Sequence, residues 1–365
     1  MLLIGNTRCI GTFKVIDEHV HWFSVKEING EKEFAMSFAE SWKEGEINAD
    51  VVTMNLLKPA YKVLVHRLKK LLGEDFLKER NRMIRDDPVN YVKFLFSDAG
   101  IQGLVIDEGF GEKDIEPPVP YKLLFRIEKI VNDLFKLPFD KAIEQFEETL
   151  RKKVKEQGYS GFKTIIAYRT GLKIVCDEGK ALEDFFSSDR DWFGKKAKGF
   201  RDYLVCKTLK IAKELKVPVQ IHTGAGDRDI KLELTRPSYL TDLVRKYEGK
   251  LIFVHAGYPY HREAAWMSYI FPSVYLDVSQ FNPFAPLSIF NAMKEIFESA
   301  PANKVLYGSD MFNIPEIAWL GAKLAKESFE ELKQEFLRRD LLDENDLKEM
   351  EERFFFRNAE EIYGF

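Results

Sequence analysis

At 365 residues, 45% apolar and 13% aromatic, the chain has ample material for one large core. Its 55 Lys and Arg against 59 Asp and Glu leave a net charge of −4, with no basic surplus to attract nucleic acid or an anionic membrane. No run of about 18 apolar residues is present to span a bilayer.

The first residues, Met1–Arg8, lack the apolar stretch and small-residue cleavage site of a secretory signal. Cys9, Cys176 and Cys206 are far apart and odd in number, so neither a disulfide framework nor a zinc knuckle is suggested. A soluble protein of the reducing cytoplasm is the expectation, acting on a small molecule; homo-oligomer formation stays open.

Short apolar runs alternate with amphipathic stretches along the chain. Eight strands are predicted: Lys14–Asp17, Gly103–Asp107, Lys122–Arg126, Phe162–Tyr168, Pro218–His222, Leu251–His255, Val274–Val278 and Lys304–Tyr307. Helices are expected at Met54–Leu72, Asp75–Arg85, Phe200–Leu215, Leu287–Ser299 and Phe329–Arg338. This alternation argues for a parallel sheet covered on both faces. Eight strands with chemistry at several carboxyl ends favour an α/β fold of the (β/α)₈ TIM-barrel type over a doubly wound sheet. One domain is expected over 1–365. The long connection at about 22–100 reads as a helical insertion, a lid, and about 322–365 as a helical extension with Glu330, Glu331, Glu335 and Arg338 on a wet face.

Only six histidines occur, so their placement carries information. His19 and His21 stand two apart at the end of the first strand, where alternate side chains share a side. His222 and His255 each close an apolar strand and precede a glycine turn, and Asp310 closes the last strand in Tyr-Gly-Ser-Asp. Any one alone reads as a core histidine or, for Asp310, a helix N-cap. Together they form a donor set for a divalent metal: zinc first, with manganese or iron also suited. Such an ion activates water and polarises a carbonyl, and Asp310 beside it can relay the proton.

The order of these ligands along successive strands resembles the amidohydrolase superfamily. The segments Gln220–Asp229, Val254–Ala265, Val274–Val278, Ala300–Asp310 and Asn358–Tyr363 are similar to one branch. That branch is the amidohydrolase-like domain associated with glutamine synthetase in nodulin-type and fungal proteins. The likeness is strong from Phe162 to Ala322 and thin from Trp22 to Tyr159. It implies that Lys163, in Ser-Gly-Phe-Lys, stands where some members carry a carboxylated lysine bridging two metals, while single-metal members keep such a lysine without using it. One ion and two both remain open.

Around this set, Arg169 could clamp a substrate carboxylate or form a structural salt bridge. Asp227 and Asp229 could receive an α-ammonium group or cap the next helix. His261 and Arg262 could reach the rim of the site, or Arg262 could pair with Glu263. His66, among basic neighbours, reads as a surface residue, and Trp22, Phe23 and Trp266 as core or pocket wall. The leading expectation is metal-dependent hydrolysis of an amide C–N bond, with a γ-glutamyl amide suggested by the resemblance. The alternatives are a non-hydrolytic decarboxylase or sugar-acid isomerase on nearly the same ligands, and a non-catalytic regulatory barrel linked to glutamine synthetase.

Overall fold

The structure is a computed structural model describing residues 14–39, 49–187 and 197–365. Met1–Arg8 and Cys9 lie outside the described residues. Nine parallel strands form one sheet: β1 Val15–Phe23, β2 Ile101–Asp107, β3 Tyr121–Arg126, β4 Gly161–Thr164, β5 Val219–His222, β6 Leu251–Val254, β7 Val274–Asp277, β8 Val305–Leu306 and β9 Met311–Asn313. The order is β9-β1-β2-β3-β4-β5-β6-β7-β8. β8 and β9 are therefore two pieces of a single segment standing at opposite ends of the sheet. Between them Tyr307 O accepts the Glu18 amide at 3.0 Å, and the Asp310 amide donates to His19 O at 2.9 Å. The sheet curls until its edges meet there. Its strands are buried almost throughout, which is why they read as unbroken apolar runs.

All eight predicted strands are found, with shifted ends. β1 continues through His19 and His21 to Phe23. β4 stops at Thr164, four residues early, and Ile166–Arg169 form a helical turn. The cause is buried Glu128, whose Oε1 accepts the Thr164 hydroxyl at 2.6 Å and the Ile165 amide at 2.9 Å. These groups leave the sheet for a side chain that no strand pattern reveals.

Between β1 and β2 lie helices Glu31–Ser37, Ala49–Leu57, Pro59–Leu72, Phe76–Asp86 and Pro88–Ala99. The stretch expected as one helix over Met54–Leu72 is broken at Pro59, which opens a new helix at its first position. These helices pack on the long helix Glu316–Arg338. Fully buried Arg80 pairs with buried Glu316, which also accepts the Tyr91 hydroxyl at 2.8 Å. Trp319 donates to Asp98 at 2.7 Å, and Lys323 pairs with Asp98 at 2.8 Å.

The C-terminal part is more than a wet extension. After helices Glu316–Arg338 and Glu344–Glu352, the chain returns in Asn358–Tyr363 to pack Ala359, Ile362 and Tyr363 against Ile16, Val105, Leu124 and Leu306. This helix covers the amino-terminal end of the curled sheet. The Tyr363 hydroxyl donates to buried Glu18, which also accepts the Gln220 amide at 2.7 Å. His66 is exposed as expected, whereas Trp266 is 57% exposed and stacks on Tyr269 rather than filling a core or pocket.

Cys176 and Cys206 are joined in a disulfide, although the cysteine spacing suggested no disulfide framework. Their 30-residue separation hides the proximity, which is tertiary. The segment after Arg169 lies on helix Lys198–Leu215, held by Val175 N–H to Asp202 at 2.9 Å and Lys198 Nζ to Lys173 O at 2.7 Å. No helix among the described residues is long and apolar enough to cross a membrane.

Arg80→Met is expected to lower unfolding free energy by about 3–5 kcal/mol in denaturant titration, because Glu316 is left buried without its counter-charge. The double variant Arg80→Met/Glu316→Leu recovers most of that loss. Cys176→Ser is expected to cost about 2–4 kcal/mol by removing a covalent loop closure; an unchanged midpoint under oxidising conditions would show the bond to be absent in solution.

Candidate metal centre

Several strands around the curl bring a chemically active side chain to their carboxyl ends. β1 carries His19 and His21 on one side, two residues apart. β5 ends at His222 and β6 runs directly into His255, while Asp310 lies between β8 and β9. Gly224 and Gly257 explain why both histidines precede glycine. A Cβ on Gly224 would sit 2.3 Å from the Gly257 backbone, so the two turns touch. His255 and Asp310 hold left-handed backbones, φ 66° and 55°. Such conformations cost on the order of 1–3 kcal/mol each and persist where the surroundings impose them.

Asp310 Oδ1 lies 3.3 Å from His19 Nε2 and 3.2 Å from His21 Nε2. Its Oδ2 is 4.0 Å from His255 Nε2, which faces His222 Nδ1 at 3.2 Å. The remaining ring nitrogens settle three tautomers. His21 Nδ1 has the Asp107 carbonyl at 3.2 Å, and His222 Nε2 has the Ala225 carbonyl at 2.8 Å, so both carry the proton. His255 Nδ1 donates to Ser279 Oγ at 2.8 Å, whose own hydroxyl is spent on Asp277. The lone pairs of His21 Nε2, His222 Nδ1 and His255 Nε2 therefore point inward, toward one another and toward Asp310. Asp310 Oδ1 is buried with no hydrogen-bond donor. Acceptors facing acceptors at such distances repel unless a cation lies among them, and this donor set fits one. His19, His21 and Asp310 have ligand atoms within 4.8 Å of one another and could hold a divalent ion.

Electrostatics favour the neutral, ligand form of three of the imidazoles, His19, His222 and His255. Burial, reinforced by the Lys163 ammonium, lowers the pKa of His19 to about 4. Burial and Lys163 likewise hold His222 well below its usual value, and burial does the same for His255. Lys163, fully buried, has its Nζ 3.2 Å from His19 Nε2; burial draws its own pKa down against the opposing pull of Asp107.

Several contributors escaped the sequence reading. Asp107 closes β2 and takes a forked contact from Arg126 at the end of β3, at 2.5 and 3.1 Å. Asp277 closes β7, accepts the amides of Ser279 and His255 at 2.7 and 3.2 Å, and has its pKa raised by burial to about 6. Asp17 and Glu18 are buried beside His19. An acidic or basic residue ending an apolar strand was the available signal, already visible for Asp310.

The outer residues divide. Tyr168 lies against His222 with the rings tilted and their centres 4.5 Å apart, and Arg169 is the next residue along this turn. Arg169 lines a cavity of about 140 Å³ with Tyr168, Lys198 and Lys231. Asp227 accepts the Asp229 amide at 2.8 Å, forming a turn within the loop, and its own amide donates to Tyr168 at 3.3 Å. His261 and Arg262 do not face the centre: both bind Glu295 of helix Ser288–Phe297, His261 at 2.6 Å. Glu263, offered as a partner for Arg262, pairs with Arg236. A chain of rings walls the site, from His21 through Phe110, Phe312 and Phe284 to Phe38 of the insertion, with centres 5.0–6.3 Å apart.

A curled parallel sheet that gathers its chemically active side chains at the carboxyl ends of its strands has the arrangement of a barrel active site. The amidohydrolase family model matches residues 16–365, and the chain belongs to that family. It is 29% identical over 213 residues to Protein fluG of Emericella nidulans. That match covers 54% of this chain and 25% of fluG, so the chain spans about a quarter of that relative. A Lactobacillus casei structure named as a metal-dependent hydrolase superposes with a TM-score of 0.84 at 24% identity, over 96% of this chain and 95% of that one. A Bacillus halodurans uronate isomerase superposes at 0.68 and 13% identity, over 96% and 93%.

His21→Ala is expected to reduce metal retained through gel filtration at least tenfold, measured by elemental analysis, whereas His261→Ala leaves it unchanged. Equal metal content in both variants would remove His21 from the ligand set.

Proposed function

We propose that this protein is a closed (β/α)₈-barrel enzyme that hydrolyses an amide C–N bond of a small molecule. A divalent ion, zinc by donor type, would be held by His19, His21, His222, His255 and Asp310. The observation that carries this is the inward convergence of imidazole lone pairs on a donorless Asp310 oxygen. When bound, the ion polarises the scissile carbonyl and makes water acidic enough to deprotonate near neutral pH. Asp310 takes the proton of the attacking water and delivers it to the leaving nitrogen. The His255–Ser279–Asp277 chain fixes the orientation of His255. Arg169 receives the substrate carboxylate, and Asp227 with Asp229 the α-ammonium end. The aromatic wall from Phe110 to Phe38 excludes bulk water. The resemblance to glutamine-synthetase-associated members supports a γ-glutamyl amide or related amino-acid derivative.

Uronate isomerases share the fold, which favours sugar-acid isomerisation as the second reading. Product analysis separates the two: ammonia or an amine for a hydrolase, an isomeric sugar acid for an isomerase, carbon dioxide for a decarboxylase. Asp310→Asn is expected to abolish turnover at every pH, and retained activity would rule out the proton relay. Arg169→Met is expected to raise KM at least tenfold with kcat changed only a few-fold. Metal count per chain in the loaded protein tests the bridge: two ions support a carboxylated Lys163 between them, and one ion rules the bridge out.

A further inference from the structure

We propose a second small-molecule site at the amino-terminal end of the curled sheet, built to hold a planar ring that bears a phosphate. A cavity of about 560 Å³ opens there, bounded by three turns: the one leading from helix Lys198–Leu215 into β5, the one before β6 and the one before β7. Its size is that of a ligand pocket, where about 300–1,000 Å³ is usual. It lies at the opposite strand ends from His222 and His255 and shares no residue with the metal centre.

Its floor is apolar and aromatic. Val217, Val244, Tyr247, Phe271 and Tyr275 all line it and are buried or half-buried. Tyr247 lies against Gly249, where a Cβ would come within 2.1 Å of its hydroxyl, so only glycine leaves the ring its place. The Tyr247 hydroxyl is buried without a hydrogen-bond partner. Lys304 pins the Tyr275 ring from 3.9 Å above its centre while donating to Pro272 O. Rings fixed in this way offer flat faces on which a base or other planar group stacks.

The rim carries charge of one sign. Lys213, Lys216, Arg245 and Lys250 stand against one carboxylate, Glu248, which pairs with Lys213 at 2.5 Å. Among the described residues Arg245 pairs at 3.9 Å with Asp242, and Lys250 donates to the Glu361 carbonyl at 3.2 Å. The lining thus holds three more cations than carboxylates, in a chain whose net charge is −4. A surplus of that size over an apolar floor favours a phosphate dianion with a ring attached over a free carboxylate or an uncharged ring.

Calorimetric titration with AMP, adenosine and inorganic phosphate, on metal-free and metal-loaded protein, tests the site. One AMP per chain is expected, with the same affinity in both metal states. AMP should bind at least tenfold more tightly than either adenosine or phosphate, and less tightly as salt rises. The exposed-residue variant Lys216→Glu/Arg245→Glu should weaken AMP binding at least tenfold with Tm and turnover unchanged. The proposal is overturned if AMP does not bind, if adenosine or phosphate alone binds equally well, if binding requires the metal, or if the double variant binds as the parent does.

Discussion

Between Leu306 and Met311 the last strand breaks, and four residues take over its work. Tyr307 O receives the Glu18 amide, Ser309 N–H donates to Asp17 at 2.9 Å, and Asp310 N–H donates to His19 O. These contacts bring the two edges of the sheet together. The same four residues aim the Asp310 carboxylate at His19 and His21. Closure of the sheet and assembly of the centre are one geometric event, and the left-handed turn at Asp310 is what makes both fit. A residue that could not hold φ near 55° would disturb the ligand set and the sheet seam at once.

The centre is also costly to the apoprotein. Imidazole lone pairs and a carboxylate oxygen are gathered out of water with no donor to satisfy them, and Asp17, Glu18 and Lys163 add buried polar groups at the same depth. Asp107 and Arg126 offset part of this through their forked contact, and Ser279 with Asp277 secures His255. An ion that binds only the assembled site adds stability by mass action. Such a centre trades intrinsic stability for a preformed shape.

Much of this was legible in the residues, for physical reasons that can be named. Strands buried on both faces must be apolar throughout, so β5, β6 and β7 stand out, and a histidine or aspartate at such an end has few other reasons to be there. The gathering of His19, His21, His222, His255 and Asp310 follows from strand order. The missed features depend on partners remote in sequence. β4 ends early because Glu128 captures its last groups; Cys176 meets Cys206 only through the packing of a loop on a helix. His261 and Arg262 turn away because Glu295 stands on the next helix. Asp107 and Asp277 were passed over because isolated acidic residues are mostly surface groups. The plugging of the sheet by Tyr363 could not be read from a tail whose charge suggested solvent.

The seam between β1 and the 305–313 segment has a further consequence for how the molecule comes into being. Asp17 meets Ser309 across 292 residues, and Glu18 meets Tyr363 across 345. Contacts of that span are the slowest to form, since the chain must first give up the freedom of everything between them. During synthesis His19 and His21 emerge early and must wait, solvated, until Asp310 leaves the ribosome. A divalent ion held by His19, His21 and Asp310 would therefore find these three donors together only once residues 305–313 have joined the seam.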